Sequence, residues 1–341
     1  MPKQILIVGP SWVGDMVMAQ VLFKLLRQQQ PDCAIDVLAP AWSRPLLVRM
    51  PEVRAAIDLP FGHGEFAFGK RKALGRALAA AKYDQAIVLP NSWKSGLVGY
   101  FANIPQRTGW RGEMRYGLLN DIRPLDKTRY PLMIERFAAL AFARDAALPA
   151  KLPWPAFNVR ADDIASALAA MAIDKPSTPV LALCPGAEFG PAKRWPDRHY
   201  AAVANHFLAQ GWQVWLFGSA KDREVTQLIN NACDNRCVDL AGRTSLAQAI
   251  DLMSLASQVV SNDSGLMHVA AALNRPLVVP YGSSSPKFTP PLSEQVRVLQ
   301  LDLDCSPCFK RECPLGHLNC LNQLEPSQVL NAIRALQPRL L

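Results

Sequence analysis

The sequence predicts an α/β protein made of two doubly wound domains that face each other across a cleft. The chain has 341 residues, which at roughly 150 residues per domain is enough for two hydrophobic cores. Short apolar runs of strand length alternate with longer segments of helical periodicity. Glycine-containing polar segments follow several of the runs, at the position where open α/β sheets bind ligands.

The first half opens with a strand, a loop and a helix. The apolar run 4–8 is the strand, and residues 9–14 form the loop. From Asp15 onward apolar residues recur at helical spacing, and Pro31 lies just beyond them. The other elements predicted in this half are strands at 35–38 and 86–89 and a helix at 72–81.

The second half repeats this alternation with different residues. A helical pattern begins at Pro196 and ends at Gly211, a residue type favoured just after a helix. A last helix, 326–336, has no strand after it, which leaves it able to pack back on the first domain. The strands predicted in this half are residues 180–184, 214–217, 259–261, 277–279 and 296–299.

Five prolines between residues 148 and 179 mark the domain boundary, with a short helical pattern at 162–171 among them. We therefore predict a first domain at residues 1–155, a linker region at 156–178 and a second domain at 179–341.

The positive charge is concentrated in the first half. The net charge is +9, and residues 1–150 hold 20 Lys and Arg against 12 Asp and Glu, whereas the remainder holds 17 against 16. This imbalance predicts an anionic partner: nucleic acid, an anionic membrane surface or a phosphorylated substrate. Only 19% of residues are charged and no nucleic-acid-binding motif is present, which disfavours nucleic acid. A solvated basic surface is the alternative.

The chain is predicted to be cytoplasmic. Half of the residues are hydrophobic, which excludes a disordered or fibrous chain. No apolar run approaches the ~18 residues of a membrane span, and the N-terminal run is too short for the core of a signal peptide.

The loop after the first strand carries a candidate base. Its sequence, Gly-Pro-Ser-Trp-Val-Gly-Asp-Met from residue 9, places Asp15 at a helix start, where the helix dipole favours an ionised carboxylate. The GxGxxG spacing is missing and Trp12 occupies the space a dinucleotide needs, which disfavours an NAD-dependent dehydrogenase. An ordinary acidic residue at a helix N-terminus is the alternative.

The corresponding loop of the second half, residues 184–196, suits an anion. Gly186 leaves the backbone accessible, and Lys193 and Arg194 stand just before a helix whose start is marked by Pro196. The P-loop spacing is missing. A solvated Lys–Arg pair is the alternative.

A third polar loop, residues 261–268, also follows a predicted strand. Asp263 and Ser264 are candidate helix N-caps, and Gly265 lets a ligand approach the backbone. His268 lies four residues after Ser264 and shares its helix face. We predict that His268 contacts the ligand; a structural core histidine is the alternative.

Three arginines of the first half, Arg107, Arg111 and Arg115, are spaced four residues apart among aromatic residues. Arginine pairs bidentately with phosphate or carboxylate, so these residues are candidates for one face of an acidic-ligand site. Lys94 and the basic residues at 70–72 and 76 add to the positive field. A solvated charged loop is the alternative.

Four of the eight cysteines cluster near the C-terminus around His317: Cys305, Cys308, Cys313 and Cys320. We expect no disulfides in a reducing cytosol. The spacing permits a tetrahedral zinc site, and reduced thiols packed in a loop are the alternative. Either arrangement would be structural, since no catalytic base stands beside the cluster.

Seven segments together resemble the ADP-heptose:lipopolysaccharide heptosyltransferases of glycosyltransferase family 9, above all those members that add the second heptose. They cover most of the chain: GPSWVGDMVMAQ, APAWSRPLL, LPNSWKSGLV, RTGWRGEMRYGLLND, CPGAEFGPAKRWP, LFGSAKD and NDSGLMHVAAALNRP. The resemblance implies a GT-B fold, in which the second Rossmann-like domain mainly holds the donor and the first binds the acceptor. It also implies inverting transfer of L-glycero-D-manno-heptose from ADP-heptose onto the first heptose of the lipopolysaccharide inner core.

The resemblance also implies residue roles. Asp15 matches the catalytic base, and Lys193 matches a lysine that binds the donor phosphate and assists catalysis. The resemblance places Asp263, Ser264, Gly265 and His268 at the nucleotide. With the loops described above, the predicted donor-binding residues are Gly186, Glu188, Lys193, Arg194, Gly218, Ser219, Asp263, Ser264, Gly265 and His268. The positive charge of the first half makes Trp12, Lys94, Arg107, Arg111 and Arg115 the candidate acceptor-binding residues. Lys221 stands where a related enzyme has a glutamate near the ribose, so that role is not carried over.

The implied partners are ADP-heptose, Kdo2-lipid A carrying one heptose, and the anionic inner face of the inner membrane, with no nucleic acid. The protein would be cytoplasmic and peripheral there. None of the motif loops carries a DxD-type metal site, so we expect no required cofactor or metal, with a divalent ion at most stimulatory. The alternatives are transfer to a heptose-free acceptor, another core heptosyltransferase, or a nucleotide-sugar epimerase of the same architecture.

Overall fold

The computed structural model describes residues 2–62 and 64–336, and the chain divides into two compact units, Met1–Phe157 and Asn158–Leu341. Each unit contains a six-stranded sheet in which every neighbouring pair of strands is parallel. Parallel neighbours need crossover connections, and helices supply them everywhere except between β5 and β6 and between β11 and β12. The predicted α/β class with two Rossmann-like units is confirmed. No helix in the described part of the chain is long and apolar enough to cross a membrane.

The first unit has the strand order of a Rossmann fold. Its strands are β1 (Gln4–Val8), β2 (Ala34–Pro40), β3 (Val53–Leu59), β4 (Gln85–Val88), β5 (Gln106–Trp110) and β6 (Asp121–Arg123). Its helices are α1 (Val13–Gln29), α2 (Arg44–Leu47), α3 (Phe68–Leu78), α4 (Leu97–Phe101) and α5 (Met133–Ala138). The sheet order is β3-β2-β1-β4-β5-β6, so the direction of winding reverses between β1 and β4.

The second unit repeats this order. Its strands are β7 (Val180–Cys184), β8 (Gln213–Leu216), β9 (Val238–Asp239), β10 (Gln258–Ser261), β11 (Leu277–Tyr281) and β12 (Val296–Gln300). Its helices are α6 (Ala161–Met171), α7 (Asp197–Leu208), α8 (Arg223–Asn231), α9 (Leu246–Met253), α10 (Gly265–Ala272), α11 (Asn319–Asn322) and α12 (Pro326–Leu336). The order β12-β11-β10-β7-β8-β9 reverses between β7 and β10.

Both cores are built from central strands that are apolar on both faces. β7 and β11 are buried at every position, because helices cover a parallel sheet on each side. Helix α7 contributes one apolar stripe to the core of the second unit: Tyr200, Val203, Ala204 and Phe207. Their spacing of three and four residues is that of a single helix face.

Two regions between and after the sheets belong to the second unit. The predicted linker region contains α6, which packs on α9. The last helix packs on α7, β11 and β12 of the second unit, and its expected packing on the first domain stays a prediction. Val329, Ala332 and Ile333 form its apolar stripe, and this stripe completes the core of the second unit.

Candidate functional site

The predicted motif loops lie where the strand order of each sheet reverses. Residues 9–12 follow β1, and residues 185–196 and 262–264 follow β7 and β10. Since neighbouring parallel strands end at the same edge, the last two loops lie side by side. Open α/β sheets bind their ligands in this position.

Asn262 fixes these two loops of the second unit to each other. Its side-chain oxygen accepts hydrogen bonds from the backbone N–H of Trp195 at 3.0 Å and from the hydroxyl of Tyr200 at 2.9 Å. Its Nδ2 donates to the carbonyl of Pro185 at 2.6 Å. A fully buried amide with these partners holds the loop after β7 rigidly against the end of β10.

Lys193 and Asp263 form a shielded ion pair at this edge. Lys193 Nζ lies 2.5 Å from Asp263 Oδ2, and the two side chains are only 17% and 6% exposed. The hydroxyl of Ser284 donates to the same carboxylate oxygen at 2.5 Å. The Lys193 ammonium also lies 5.0 Å from the ring centre of Phe189. The contacts fix one cation in place before any ligand arrives, which favours anion binding.

His268 is an uncharged member of the same group. It lies in the first turns of α10 and is buried, and this burial lowers its pKa to about 4 although the Asp263 carboxylate acts in the opposite direction. At neutral pH His268 therefore offers hydrogen bonds and no charge. Ser264 occupies the N-cap position of α10, as predicted, but its side chain makes no capping hydrogen bond. Gly265 is the first helical residue.

Asp222, which the sequence analysis did not select, explains why glycine is required at two of the predicted donor-binding positions. A Cβ on Gly186 would lie 2.4 Å from the carboxyl carbon of Asp222, and a Cβ on Gly218 would lie 2.8 Å from its Cβ. The carboxylate accepts hydrogen bonds from the N–H and hydroxyl of Ser219 at 2.9 and 2.8 Å and lies 3.8 Å from the Arg194 guanidinium. The spacing Ser219-x-x-Asp222 is that of a capping box, which was the available signal.

Glu188 lies on the outer side of the loop after β7. Its carboxylate is 2.5 Å from Lys221 Nζ, and the two side chains are 53% and 73% exposed. An exposed pair of this kind contributes little to stability, so contacts to a ligand could replace it at little cost.

In the first unit, Asp15 lies in the first turn of α1, which begins at Val13 and not at Asp15 as predicted. Its side chain is partly buried at the end of the sheet where the order reverses. Trp12 occupies the N-cap position, is 48% exposed and makes no capping hydrogen bond. The positive end of the α1 dipole favours the ionised form of the Asp15 carboxylate.

The three arginines predicted to share one face do not do so. Arg107 lies on β5, and its guanidinium donates to the backbone carbonyls of residues 118 and 104 at 2.7 and 2.6 Å. Arg115 is completely buried and donates to two backbone carbonyls and to the hydroxyl of Ser95. Burial lowers the pKa of Arg115 to about 10, and the group remains charged. Both arginines therefore hold the protein's own loops, because a strand and a turn replace the regular spacing that the prediction assumed.

Arg111 and Lys94 are the accessible cations of this predicted group. Arg111 is exposed directly after β5. Lys94 follows β4 and donates to the carbonyl of Gly64 at 2.7 Å, with its side chain partly exposed. Both lie at the edge of the sheet that also carries Asp15, since β1, β4 and β5 run parallel.

The clustered cysteines and His317 line one small cavity of the second unit. All four cysteines are free thiols: Cys305, Cys308, Cys313 and Cys320. Across residues 2–62 and 64–336, no group of three or more His, Cys, Asp or Glu is arranged to hold a metal ion. The zinc site that the spacing permits stays a prediction.

The segment that carries the clustered cysteines, residues 305–320, contacts the loop that follows β7, residues 185–196. The Arg311 carbonyl accepts a hydrogen bond from the N–H of Ala192 at 3.0 Å. Gly190, at φ +155°, lets the two backbones touch, because a Cβ there would lie 2.5 Å from the Arg311 oxygen. On the other side, the N–H of Phe309 donates to the Ser283 carbonyl at 2.6 Å, next to the hydroxyl that holds Asp263.

Two Rossmann-like units with candidate ligand loops at their strand ends are the architecture of the GT-B glycosyltransferases, and the chain's structural neighbours share it. The family model of glycosyltransferase family 9 (heptosyltransferase) matches residues 71–319. The chain belongs to this family.

Similar proteins agree with this membership. The chain is 50% identical to lipopolysaccharide heptosyltransferase 2 of Escherichia coli (strain K12), over 98% of each chain. It is 49% identical to lipooligosaccharide heptosyltransferase 2 of Haemophilus influenzae, over 87% of this chain and 88% of that protein. The solved structure of E. coli ADP-heptose lps heptosyltransferase II matches with a TM-score of 0.88 at 48% identity, over 98% of both chains.

Proposed function

We propose that this protein is an inverting heptosyltransferase that moves L-glycero-D-manno-heptose from ADP-heptose onto the first heptose of the lipopolysaccharide inner core. The observation that carries the proposal is the 50% identity, along nearly the whole of both chains, to a lipopolysaccharide heptosyltransferase 2. A nucleotide sugar has a diphosphate, and the strand ends of the second unit provide the cations that such a group needs.

The second unit would bind the donor. Lys193, held by Asp263, would contact the diphosphate, and Arg194 and the N-terminus of α10 would add positive charge. When the bond between the anomeric carbon and the phosphate oxygen breaks, negative charge develops on the departing ADP. Preplaced cations and helix N–H groups stabilise this charge without reorganisation, which lowers the barrier. The remaining donor-side residues would be Gly186, Glu188, Gly218, Ser219, Ser264, Gly265 and His268.

Asp15 would act as the general base. Its carboxylate takes the proton from the attacking hydroxyl of the acceptor, and the hydroxyl oxygen then forms a bond to the anomeric carbon while ADP leaves from the opposite face. The bond between the anomeric carbon and the phosphate oxygen breaks as the new glycosidic bond forms on the opposite face, and this single displacement inverts the configuration at the anomeric carbon. The helix start that favours ionised Asp15 suits this role.

The first unit would bind the acceptor, Kdo2-lipid A that carries one heptose. Phosphates and Kdo carboxylates make this molecule strongly anionic, which matches the positive charge of the first half. Arg111 and Lys94 are accessible for ion pairs and Trp12 for stacking on a sugar, whereas Arg107 and Arg115 would shape the loops. Because the acceptor is a lipid, the protein would act as a peripheral protein on the anionic cytoplasmic face of the inner membrane.

The transfer would require no cofactor or metal ion. Lys193, Arg194 and the α10 N-terminus already supply the positive charge that a divalent ion gives a diphosphate in other enzymes. Transfer measured after treatment with a chelator should therefore continue, with at most a stimulation when magnesium is restored. Complete loss in the chelator would contradict this.

The deciding experiment follows ADP release with purified protein, ADP-heptose and inner-core acceptors carrying no, one or two heptoses. We expect release that depends on the one-heptose acceptor. Release with the heptose-free acceptor would instead assign transfer of the first heptose, and release with the two-heptose acceptor would assign a later core transfer. ADP-heptose consumption without any acceptor requirement would favour an epimerase.

A further inference from the structure

A continuous row of aromatic rings lies on the surface of the first unit. We call it the aromatic ladder; in order of contact its rings are Trp93, Phe66, Phe68, Phe101 and Tyr100. Successive ring centres are 6.3, 6.0, 5.6 and 5.3 Å apart. All of these rings except Phe101 are between 37% and 53% exposed. A contiguous exposed apolar surface of this kind marks an interaction site.

The fold gives the ladder a fixed geometry. Phe66 follows β3 and Trp93 follows β4, while the other rings lie on α3 and α4, which pack closely on each other. Gly75 permits this packing, because a Cβ there would lie 2.7 Å from Phe101 Cβ and 2.8 Å from the carbonyl of Val98. Three of the five rings are therefore held by two packed helices, and Phe66 and Trp93 extend the row from the segments that follow β3 and β4.

Cations surround the ladder. Residues 66–82 contain five Lys and Arg and no Asp or Glu. Lys70 and Arg76 are exposed on α3, and the Lys72 ammonium lies 5.8 Å from the Phe101 ring centre. The Arg107 guanidinium lies 5.8 Å from the ring centre of Tyr100. Aromatic rings at headgroup depth with a surrounding belt of Lys and Arg are typical of proteins that lie on anionic bilayers.

We propose that the aromatic ladder and the basic surface of α3 dock this protein on the surface of an anionic lipid bilayer. This inference rests on one part of the proposed function, namely that the acceptor is a lipid. The loop that carries Trp93 follows β4, and β4 pairs directly with β1, whose following loop leads to Asp15. Docking through the ladder would hold the acceptor-binding edge of the first unit close to the bilayer.

Vesicle binding tests the docking without any catalysis. Purified protein is sedimented with neutral phosphatidylcholine vesicles and, separately, with vesicles that contain about 30% phosphatidylglycerol. Each protein cation near an anionic bilayer surface increases the partition coefficient about fivefold. We expect binding to the anionic vesicles alone. Lys70→Glu combined with Arg76→Glu should lower the partition coefficient at least about twentyfold, and Phe66→Ser combined with Phe68→Ser at least about tenfold.

Matched controls come from the second unit. Lys175→Glu with Arg160→Glu changes the charge equally, and Leu228→Ser removes a side chain that is 50% exposed. These variants should bind vesicles like the wild type, and unchanged thermal midpoints would show that all variants fold. Equal losses in ladder and control variants would overturn the proposal. The proposal would also be overturned if no variant bound vesicles and sedimentation showed that the ladder variants had lost a self-association of the wild type. The ladder would then be a contact between two copies of the chain.

Transfer assays separate a failure of docking from a failure of the proposed function. The variant Phe66→Ser with Phe68→Ser, which keeps the charge of the first unit, should transfer heptose at the wild-type rate to an acyl-free inner-core acceptor and at least about tenfold more slowly to the same acceptor embedded in anionic vesicles. Equal rates on the embedded acceptor would overturn the docking role. Absence of transfer by the wild type to either acceptor would overturn the proposed function, while the vesicle result would still decide the docking surface.

Discussion

Asp15 is the residue on which the proposed chemistry most depends. The change Asp15→Asn keeps the size of the side chain and removes its ability to accept a proton. We expect turnover to fall by roughly 10²–10⁴-fold, while the KM for ADP-heptose changes little because the donor would bind to the second unit. Steady-state kinetics with the one-heptose acceptor would measure both. Turnover near that of the wild type would remove Asp15 from the role of base.

Lys193 should act mainly on the departing ADP. Without its ammonium the charge on the leaving diphosphate is less well stabilised, so Lys193→Ala should lower turnover by about 10²-fold and weaken donor binding. Lys175→Ala, at an exposed lysine of the same unit, is the matched control and should behave like the wild type. Because the change leaves the Asp263 carboxylate buried without its cation, a thermal melt must accompany the kinetics. Unchanged turnover and donor affinity would exclude Lys193 from the site.

His268 should make stability depend on pH. Its pKa falls from 6.5 to about 4 on burial, so between these values the unfolded chain binds a proton that the folded chain does not. The free energy of unfolding should therefore decrease as the pH falls from about 6.5 to about 4, by up to about 3 kcal/mol from this residue. Urea titrations at several pH values should show a smaller decrease for His268→Gln. The partly exposed His206 on α7 provides the control His206→Gln, and an equal slope in all three proteins would contradict the assignment.

Sequence reasoning selects residues that follow a strand in the local sequence and does not reveal partners that are distant along the chain. Lys193 and Asp263 stand in loops after strands, and His268 lies in the helix that follows one of them. The partners of Asn262 lie more than sixty residues away, in the loop after β7 and on α7, and Ser284 reaches Asp263 from the loop after β11. Arg115 was misjudged for the same reason, since nothing in its local sequence indicates that distant carbonyls surround its guanidinium.

At the scale of elements, strands in the sheet centres were predictable and several others were not. β7 and β11 are continuous apolar runs because helices cover both of their faces. β3 lies at a sheet edge, has no fully buried position and contains an arginine and an aspartate, so its pattern is weak. β6 and β9 are also edge strands, of three and two residues, too short for any periodicity. Strand β5, which was not predicted, contains a glycine and three polar residues, so no apolar run marks it.

Because the loops of the second unit are closely packed, adding one methyl group there should lower the free energy of unfolding. In Gly186→Ala the new Cβ would lie within 2.6 Å of the carboxylate atoms of Asp222, which Ser219 holds in place. We expect a loss of about 1–3 kcal/mol in the free energy of unfolding and a higher KM for ADP-heptose. Urea unfolding would measure the loss.

The control for this change is Gly69→Ala. Gly69 lies in α3, and a Cβ at this position would have no heavy atom within 4 Å, so this change should leave stability unaltered or raise it by about 0.5–1 kcal/mol. If Gly186→Ala and Gly69→Ala both had the stability of the wild type, the loop after β7 would be able to shift and accept the new methyl group. The predicted steric conflict with Asp222 would then be wrong.

At the scale of the whole molecule, the two units share one topology and differ in charge. Each sheet reverses its order beside the loops that carry the candidate groups, which is why similar sequence positions in the two halves could be assigned to a site. The excess of eight positive charges in residues 1–150, against one in residues 151–341, distinguishes the two sites. A diphosphate needs a few fixed cations at short range, whereas a large polyanionic acceptor also responds to the field of the whole unit.

This division of charge predicts that salt acts on the two substrates differently. Raising the salt concentration from about 0.1 M to about 0.5 M shortens the Debye length from about 10 Å to less than half of that. The KM for an acyl-free acceptor should rise about three- to tenfold, while the KM for ADP-heptose should change less than about twofold because Lys193 is shielded from solvent. Arg111→Gln should raise the acceptor KM at low salt and flatten its salt dependence, and Lys175→Gln should do neither. Parallel increases for donor and acceptor would show that the positive first unit does not select the acceptor by long-range attraction.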